Sequence, residues 1–323
     1  MIGKILAAAI AAASLAHAQH DHFPAMKWKE KSTDHFTLRV DSTSGDPATK
    51  YAEKVWEVVL PVLPAMKDDF AKNDFRTPAG EEGSDEKPFR FTVYLLGKGS
   101  DYDEVVQTDA SRNGWDANFI KLVKRTGSYA DPQHRYVVLC KGATDQSAGG
   151  DRDMTPVFVH STGSTLMEGQ ARGKNLPFWM TAGFGYYVEH MLFKLCRVHY
   201  LDFEAYYKDQ DADVKKGETL GPDQSWAKII RKMCKKDDRV SLDQVCGAQV
   251  ISLTPQQSGY IFALTYFLVR DEPARVKYRS LVAQSADGGT IDKAALLKAY
   301  GYADDAALEA EWYEWLEKGK EFK

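Results

Sequence analysis

Val157–Glu189 reads VFVHSTGSTLMEGQARGKNLPFWMTAGFGYYVE. Thr155 is placed as an N-cap, and Pro156 suits the first turn of a helix. The helix that follows is apolar around His160, with Val157, Val159 and Leu166 close by in sequence. After a gap, a second helix is expected over Leu176–Leu195. A lone histidine on an apolar helix reads first as a structural histidine and second as a metal ligand. Ser161 and Ser164 do not read as nucleophiles. Such chemistry needs a base within hydrogen-bond reach, and adjacent residues on a helix, such as His160 and Ser161, do not face each other. There is also no G-x-S-x-G elbow.

The same stretch resembles the gluzincin-like peptidase MA family. Its frame is an apolar helix carrying HExxH, a gap, then a helix opening LPxWLxEGxAxYxE. His160 takes the first zinc-ligand position. Ser161 stands where the general-base Glu belongs, Ser164 where the second His belongs, and Ala182 where the third ligand, a Glu, belongs. Leu176, Pro177, Trp179, Gly183, Tyr187 and Glu189 keep the frame. A catalytic zinc needs three protein ligands and an open position for water, which the Glu of HExxH activates. The resemblance therefore implies a zincin-like fold whose zinc chemistry is gone, with no catalytic residue, no metal site and no cofactor. His160 is a vestigial ligand. Tyr129, His160, Trp179, Tyr186 and Glu189 are the candidates for lining the former cleft, with Tyr129 near its rim.

A rescued metal site is the competing reading. Glu189 follows Ala182 by seven residues, which puts both on one face but about 10 Å apart along the axis. His190 points about 100° away from Glu189. A site built from His160, Glu189 and His190 is therefore poor geometry. A relocated zinc would need His160 to meet distant donors such as His134 or Glu168.

The N-terminus, MIGKILAAAIAAASLAHA, has a charged start at Lys4, an apolar run and an A-x-A site at Ala16–Ala18. It reads as a signal peptide cleaved after Ala18, giving a secreted or periplasmic chain with no membrane span. Residues 19–27 follow as a polar tail, in which His20 and His22 offer weak metal donors at most. The formal net charge of −4 is spread along the chain, without the basic stripe that nucleic acid requires. Cys140, Cys196, Cys234 and Cys246 permit disulfides in an exported protein, and Cys234 with Cys246 is the best local pair. Paired acids at Asp68-Asp69, Asp237-Asp238 and Asp304-Asp305 read as solvated faces and helix caps.

Hydrophobic periodicity divides the rest into an α/β half, 28–154, and a helical half, 155–323. Strands are expected at His35–Asp41, Phe89–Leu96 and Arg135–Cys140, with an edge strand over Gly127–Ala130. A helix over Asp46–Lys72 is bent or divided by Pro61 and Pro64, and a short one over Asp101–Gln107 is capped by Ser100. Thr77–Lys87 and Ala148–Met154 read as loops. Helices follow at Trp226–Lys235, Pro255–Val269, Ala274–Ala283, Ile291–Ala299 and Asp304–Lys318. The resulting class is α+β, a small mixed sheet with helices in two layers, then an all-helical half. The function expected is that of a non-catalytic peptidase-like protein holding a peptide or protein in the cleft, or serving as a scaffold. An active metal hydrolase through His160 is the alternative, and a purely structural envelope protein is a third.

Overall fold

The computed structural model describes residues 22–41, 49–72, 90–131, 135–141, 154–171, 176–197, 220–221, 224–235, 239–318 and 322. The expected signal peptide, His20, the Thr77–Lys87 loop, His134, Asp237-Asp238 and all of the 148–154 loop but Met154 lie outside them.

The protein is mixed α+β. Five described strands form one sheet: β1 (Lys29–Ser32), β2 (Phe36–Val40), β3 (Phe91–Leu96), β4 (Ser128–Asp131) and β5 (Tyr136–Cys140), in the order β1-β2-β3-β5-β4. The β2–β3 and β3–β5 pairs are parallel, and β1 and β4 close the edges antiparallel. Every residue of β2, β3 and β5 is buried, which requires cover on both faces. Alternation along the strands sorts the side chains into two cores. Val93, Leu95, Val137 and Leu139 join the main core with α1 (Thr49–Val59) and the helical half. Tyr94, Leu96, Tyr136 and Val138 face α3 (Gly99–Asn113) and α4 (Ala117–Thr126) in the second. The first half is thus covered on both sides, not built in two layers as expected. Between α1 and α3 lies α2 (Met66–Lys72); the Pro61–Pro64 segment divides α1 from α2 rather than bending one helix.

The second half is helical throughout its described residues: α5 (Thr155–Gln170), α6 (Phe178–Phe193), α7 (Trp226–Lys235), α8 (Leu242–Cys246), α9 (Pro255–Leu268), α10 (Glu272–Ala286), α11 (Lys293–Tyr300) and α12 (Asp305–Lys318), with a 3-10 turn at Val250–Ser252. Helix α5 packs on the sheet and on α1, α6 lies against α5, and α9 lies against α6. Helix α6 is buried on nearly all sides from Trp179 to His190, as expected of a central helix. No described helix is long and apolar enough to cross a membrane.

Several expectations need correction. Tyr129 does not reach a cleft rim. Its hydroxyl donates to Asp109 Oδ2 at 2.5 Å, within the second core on the far face of the sheet from α5. Its strand alternates, so Tyr129 and Asp131 point away while Ser128 and Ala130 stay half-buried. Thr155 lies inside α5, and Met154 takes the cap position without a side-chain bond. The four cysteines form no disulfide. Cys234 instead places Sγ 3.4 Å from the Tyr260 hydroxyl, and burial pushes its thiol pKa up.

Candidate functional site: the buried seam between two helices

Small residues let α5 and α6 approach closely. A Cβ at Gly163 would stand 2.9 Å from Val188 Cγ2. One at Gly185 would stand 2.5 Å from Ser164 Oγ, 2.6 Å from His160 Nε2 and 2.7 Å from His160 Cδ2. One at Gly183, toward α9, would meet Thr265 Oγ1 at 2.1 Å and the Ile261 carbonyl at 3.1 Å. The imidazole of His160 therefore occupies the space a side chain at position 185 would take.

Around that imidazole the contacts are specific. Nδ1 lies 3.4 Å from Glu189 Oε2, with both side chains buried. The ring meets Tyr186 edge-on at 4.8 Å between centroids. Glu189 Oε1 accepts the backbone N–H of Arg197, just past the left-handed cap at Lys194. The Ser164 hydroxyl lies 2.9 Å from the Thr181 carbonyl of α6 and 3.0 Å from the His160 carbonyl of its own helix. It is a cross-helix tie.

His160 thus faces Gly185 and Glu189, one and two turns beyond Ala182, which is itself fully buried. Sequence spacing placed Glu189 too far from Ala182 to join a site there, and that distance stands. What spacing could not show is that His160 turns toward the Glu189 end of α6. His190, the other donor considered, points elsewhere. Its ring packs on Phe262 and Tyr266 of α9. Its Nδ1 has no hydrogen-bond partner among the described residues, and burial, with Lys194 adding repulsion, holds its pKa down at about 4.

The remaining cleft candidates offer little exposed surface. His160, Trp179, Tyr186 and Glu189 are all buried, because the glycine-lined seam draws the helices together over them. The residues of α5 that stay half-exposed are Ser161, Ser164, Glu168 and Gln170; of these, Ser161, Ser164 and Glu168 lie close together on the helix. They share one face, and Phe178 and Thr181 at the start of α6 are half-exposed as well. Burial pushes the Glu168 carboxyl up to about 7, with no hydrogen bond or charge of any described residue opposing it. Sequence reasoning had weighed Glu168 only as a distant partner of His160. Eight helical residues separate the two by about 12 Å along the axis.

The zinc implied by the family frame does not fit this seam. Zinc asks for three or four His, Cys or carboxylate donors in tetrahedral array. Here His160 has one carboxylate beside it, and Ser164 and Ala182 supply no strong ligand. Among the described residues no group of three or more His, Cys, Asp or Glu side chains converges. His160 fills the space that a side chain at position 185 would take. No family model matches the chain, and no curated protein does.

Proposed function

We propose that this chain is an exported, non-catalytic protein of zincin-like architecture that binds a peptide or protein along the half-exposed face beside the α5–α6 seam. The observation that carries the reading is the packing of His160 against Gly185 and Glu189. A metal-binding histidine must keep a ring nitrogen free for the metal and must be joined by other donors. This imidazole is instead used as a packing element, and the position of the second ligand, Ser164, ties helix to helix. The intact frame from Leu176 to Glu189 supports descent from a peptidase-like scaffold, and the A-x-A site at Ala16–Ala18 supports export.

The test is metal analysis of the purified mature chain together with a peptidase assay. Zinc well below one per chain is expected, with no proteolysis that a chelator abolishes. One tightly held zinc, lost in His160→Ala, would overturn the proposal in favour of a metal hydrolase.

A further inference from the structure

We propose that Asn113 is a self-modifying site, which deamidates onto Gly114 and in doing so loosens the junction of α3, β4 and α4. It lies at the end of α3, across the sheet from α5, and is independent of the proposed binding face.

The chain has four asparagines, Asn73, Asn113, Asn118 and Asn175, and only Asn113 is followed by glycine. That neighbour decides the chemistry. The backbone nitrogen of the next residue must reach the side-chain carbonyl carbon. A glycine, with no Cβ, neither shields its nitrogen nor restricts the rotation needed. Both residues are exposed. Asn113 is the last residue of α3, and Gly114 caps the helix in the left-handed conformation at φ 64°. A Cβ at Gly114 would meet nothing within 4 Å, so a ring has room to close there. Two bonds hold the reactants. The Gly114 N–H donates to the Ala110 carbonyl, and Asn113 Nδ2 donates to Asp131 Oδ2 at 3.3 Å. Both must break first, and both belong to the last turn of a helix, where opening costs far less than global unfolding.

The Gly114 nitrogen attacks Asn113 Cγ. A C–N bond forms, the Gly114 N–H proton passes to water, and Nδ2 takes up a proton and leaves as ammonia, which closes a cyclic imide. Water then opens the imide. Attack at Cγ leaves aspartate. Attack at the Asn113 backbone carbonyl carbon leaves isoaspartate, with the main chain rerouted through the side chain. The sum is amide plus water to carboxylate plus ammonium, with no oxidation or reduction.

Either product exchanges an amide donor for a carboxylate within reach of Asp131, with Asp109 one turn back on α3. Like charges so placed repel. Isoaspartate also adds a methylene to the backbone just before Asp116, whose side chain caps α4 through the Asn118 and Phe119 N–H groups. Helix α4 has little burial to resist this. Among its described side chains Val123 alone is buried.

The mature chain is incubated in warm, mildly alkaline buffer beside the acetylated, amidated peptide of residues 111–116, and both are followed by mass-spectrometric peptide mapping. Asn113 is expected to convert ahead of the other asparagines, to a mixture of aspartate and isoaspartate. Its rate in the folded chain should be about tenfold below the peptide's, an opening free energy of about 1.4 kcal/mol. Hydrogen exchange over residues 110–126 should quicken as conversion proceeds, and Asn113→Asp should show the quickening at once. Asn113→Gln should keep the exchange profile of fresh protein through the same incubation, because its larger ring closes far more slowly. Asn113 still intact when the peptide is fully converted would overturn the site. Conversion that leaves exchange over 110–126 unchanged, or a quickening that Asn113→Gln shares, would overturn its effect on the α3–α4 junction.

Discussion

Replacing Gly185 by alanine tests whether His160 is a packing element. The new methyl would sit 2.5–2.7 Å from Ser164 Oγ and from two atoms of the His160 ring. Ordinary carbon contacts are about 3.5–4.0 Å, so something must move by about 1 Å. The ring cannot retreat easily, since Tyr186 and Glu189 close it in. Overpacking of this kind costs about 1–3 kcal/mol. The gain in helix propensity from Gly to Ala returns about 1 kcal/mol. A net destabilisation of about 1–2 kcal/mol is expected from urea denaturation monitored by circular dichroism. The decisive step is a double-mutant cycle. In a His160→Ala background the ring contacts are gone and Gly185→Ala should cost less, and in a background carrying both His160→Ala and Ser164→Ala it should become neutral or stabilising. The coupling energy should be about 1 kcal/mol or more. Two built-in controls bracket the result. Gly183→Ala should cost most, because it meets Thr265 and the Ile261 backbone, whereas a Cβ at Gly169 has nothing within 4 Å, so Gly169→Ala should stabilise by about 0.4–1 kcal/mol. Additive effects of Gly185→Ala and His160→Ala would show that the imidazole does not fill the space at 185.

Trp179 is buried, so Trp179→Ala should destabilise by about 3–5 kcal/mol, while a chelator should leave the melting temperature of the parent chain unchanged; a drop on chelation would mean that a metal, not packing, joins the helices. His190 makes stability depend on pH. Its folded pKa of about 4 lies below the ordinary value near 6.5, so the unfolded chain takes up the proton first as pH falls, and stability is full above about 6.5 and declines by up to about 3 kcal/mol toward pH 4. His190→Phe should flatten that part of the denaturation-against-pH curve, and an unchanged slope would assign the acid loss to other groups. Glu168 works in the opposite sense, because its raised folded pKa favours the fold below about 4.5 and withdraws that advantage as pH rises toward 7. Glu168→Gln should therefore gain stability relative to the parent in mild alkali and not in acid, as followed by melting at the two extremes.

Helices α5 and α6 are held by close approach. A metal ties its ligand-bearing helices by coordination, and that binding energy is folding energy. Close approach can do the same. Gly163 admits Val188, Gly185 admits His160, and Gly183 admits Thr265. The Ser164 hydroxyl crosses to the Thr181 carbonyl. Dispersion between surfaces this close is collectively large, and the bulky Trp179, Phe184 and Tyr186 fill what the glycines leave. Ser164 and Gly185 thus contribute to one packing arrangement.

How much of this could be read from the chain itself depends on whether the deciding contact is local. Helix α7 is local in this sense. Trp226, Ile229, Ile230 and Cys234 repeat on one face, and its bounds coincide with those expected from sequence. Helix α4 was missed although its signals were present. Asp116 accepts from the Asn118 and Phe119 N–H groups, and Gly127 closes it in the left-handed conformation. Ser241 and Gln244 likewise form a capping box for α8, a helix not expected from sequence. Strand β1 offered no such clue: KEKS is polar and exposed at all four positions, so its pairing with β2 leaves no alternation to detect. The site followed the same rule. The two helices were visible because helical spacing is local, and the structure packs them against each other. The residue that His160 meets was not visible, because helical periodicity fixes which face a residue lies on and not how far one helix slides along another. That sliding is set by which small residues face which large ones. Gly185 admits the imidazole, and the ring then reaches Glu189 at 3.4 Å. A glycine in a helix interior, which costs about 1 kcal/mol against alanine, was the one signal in the sequence that something had to fit there.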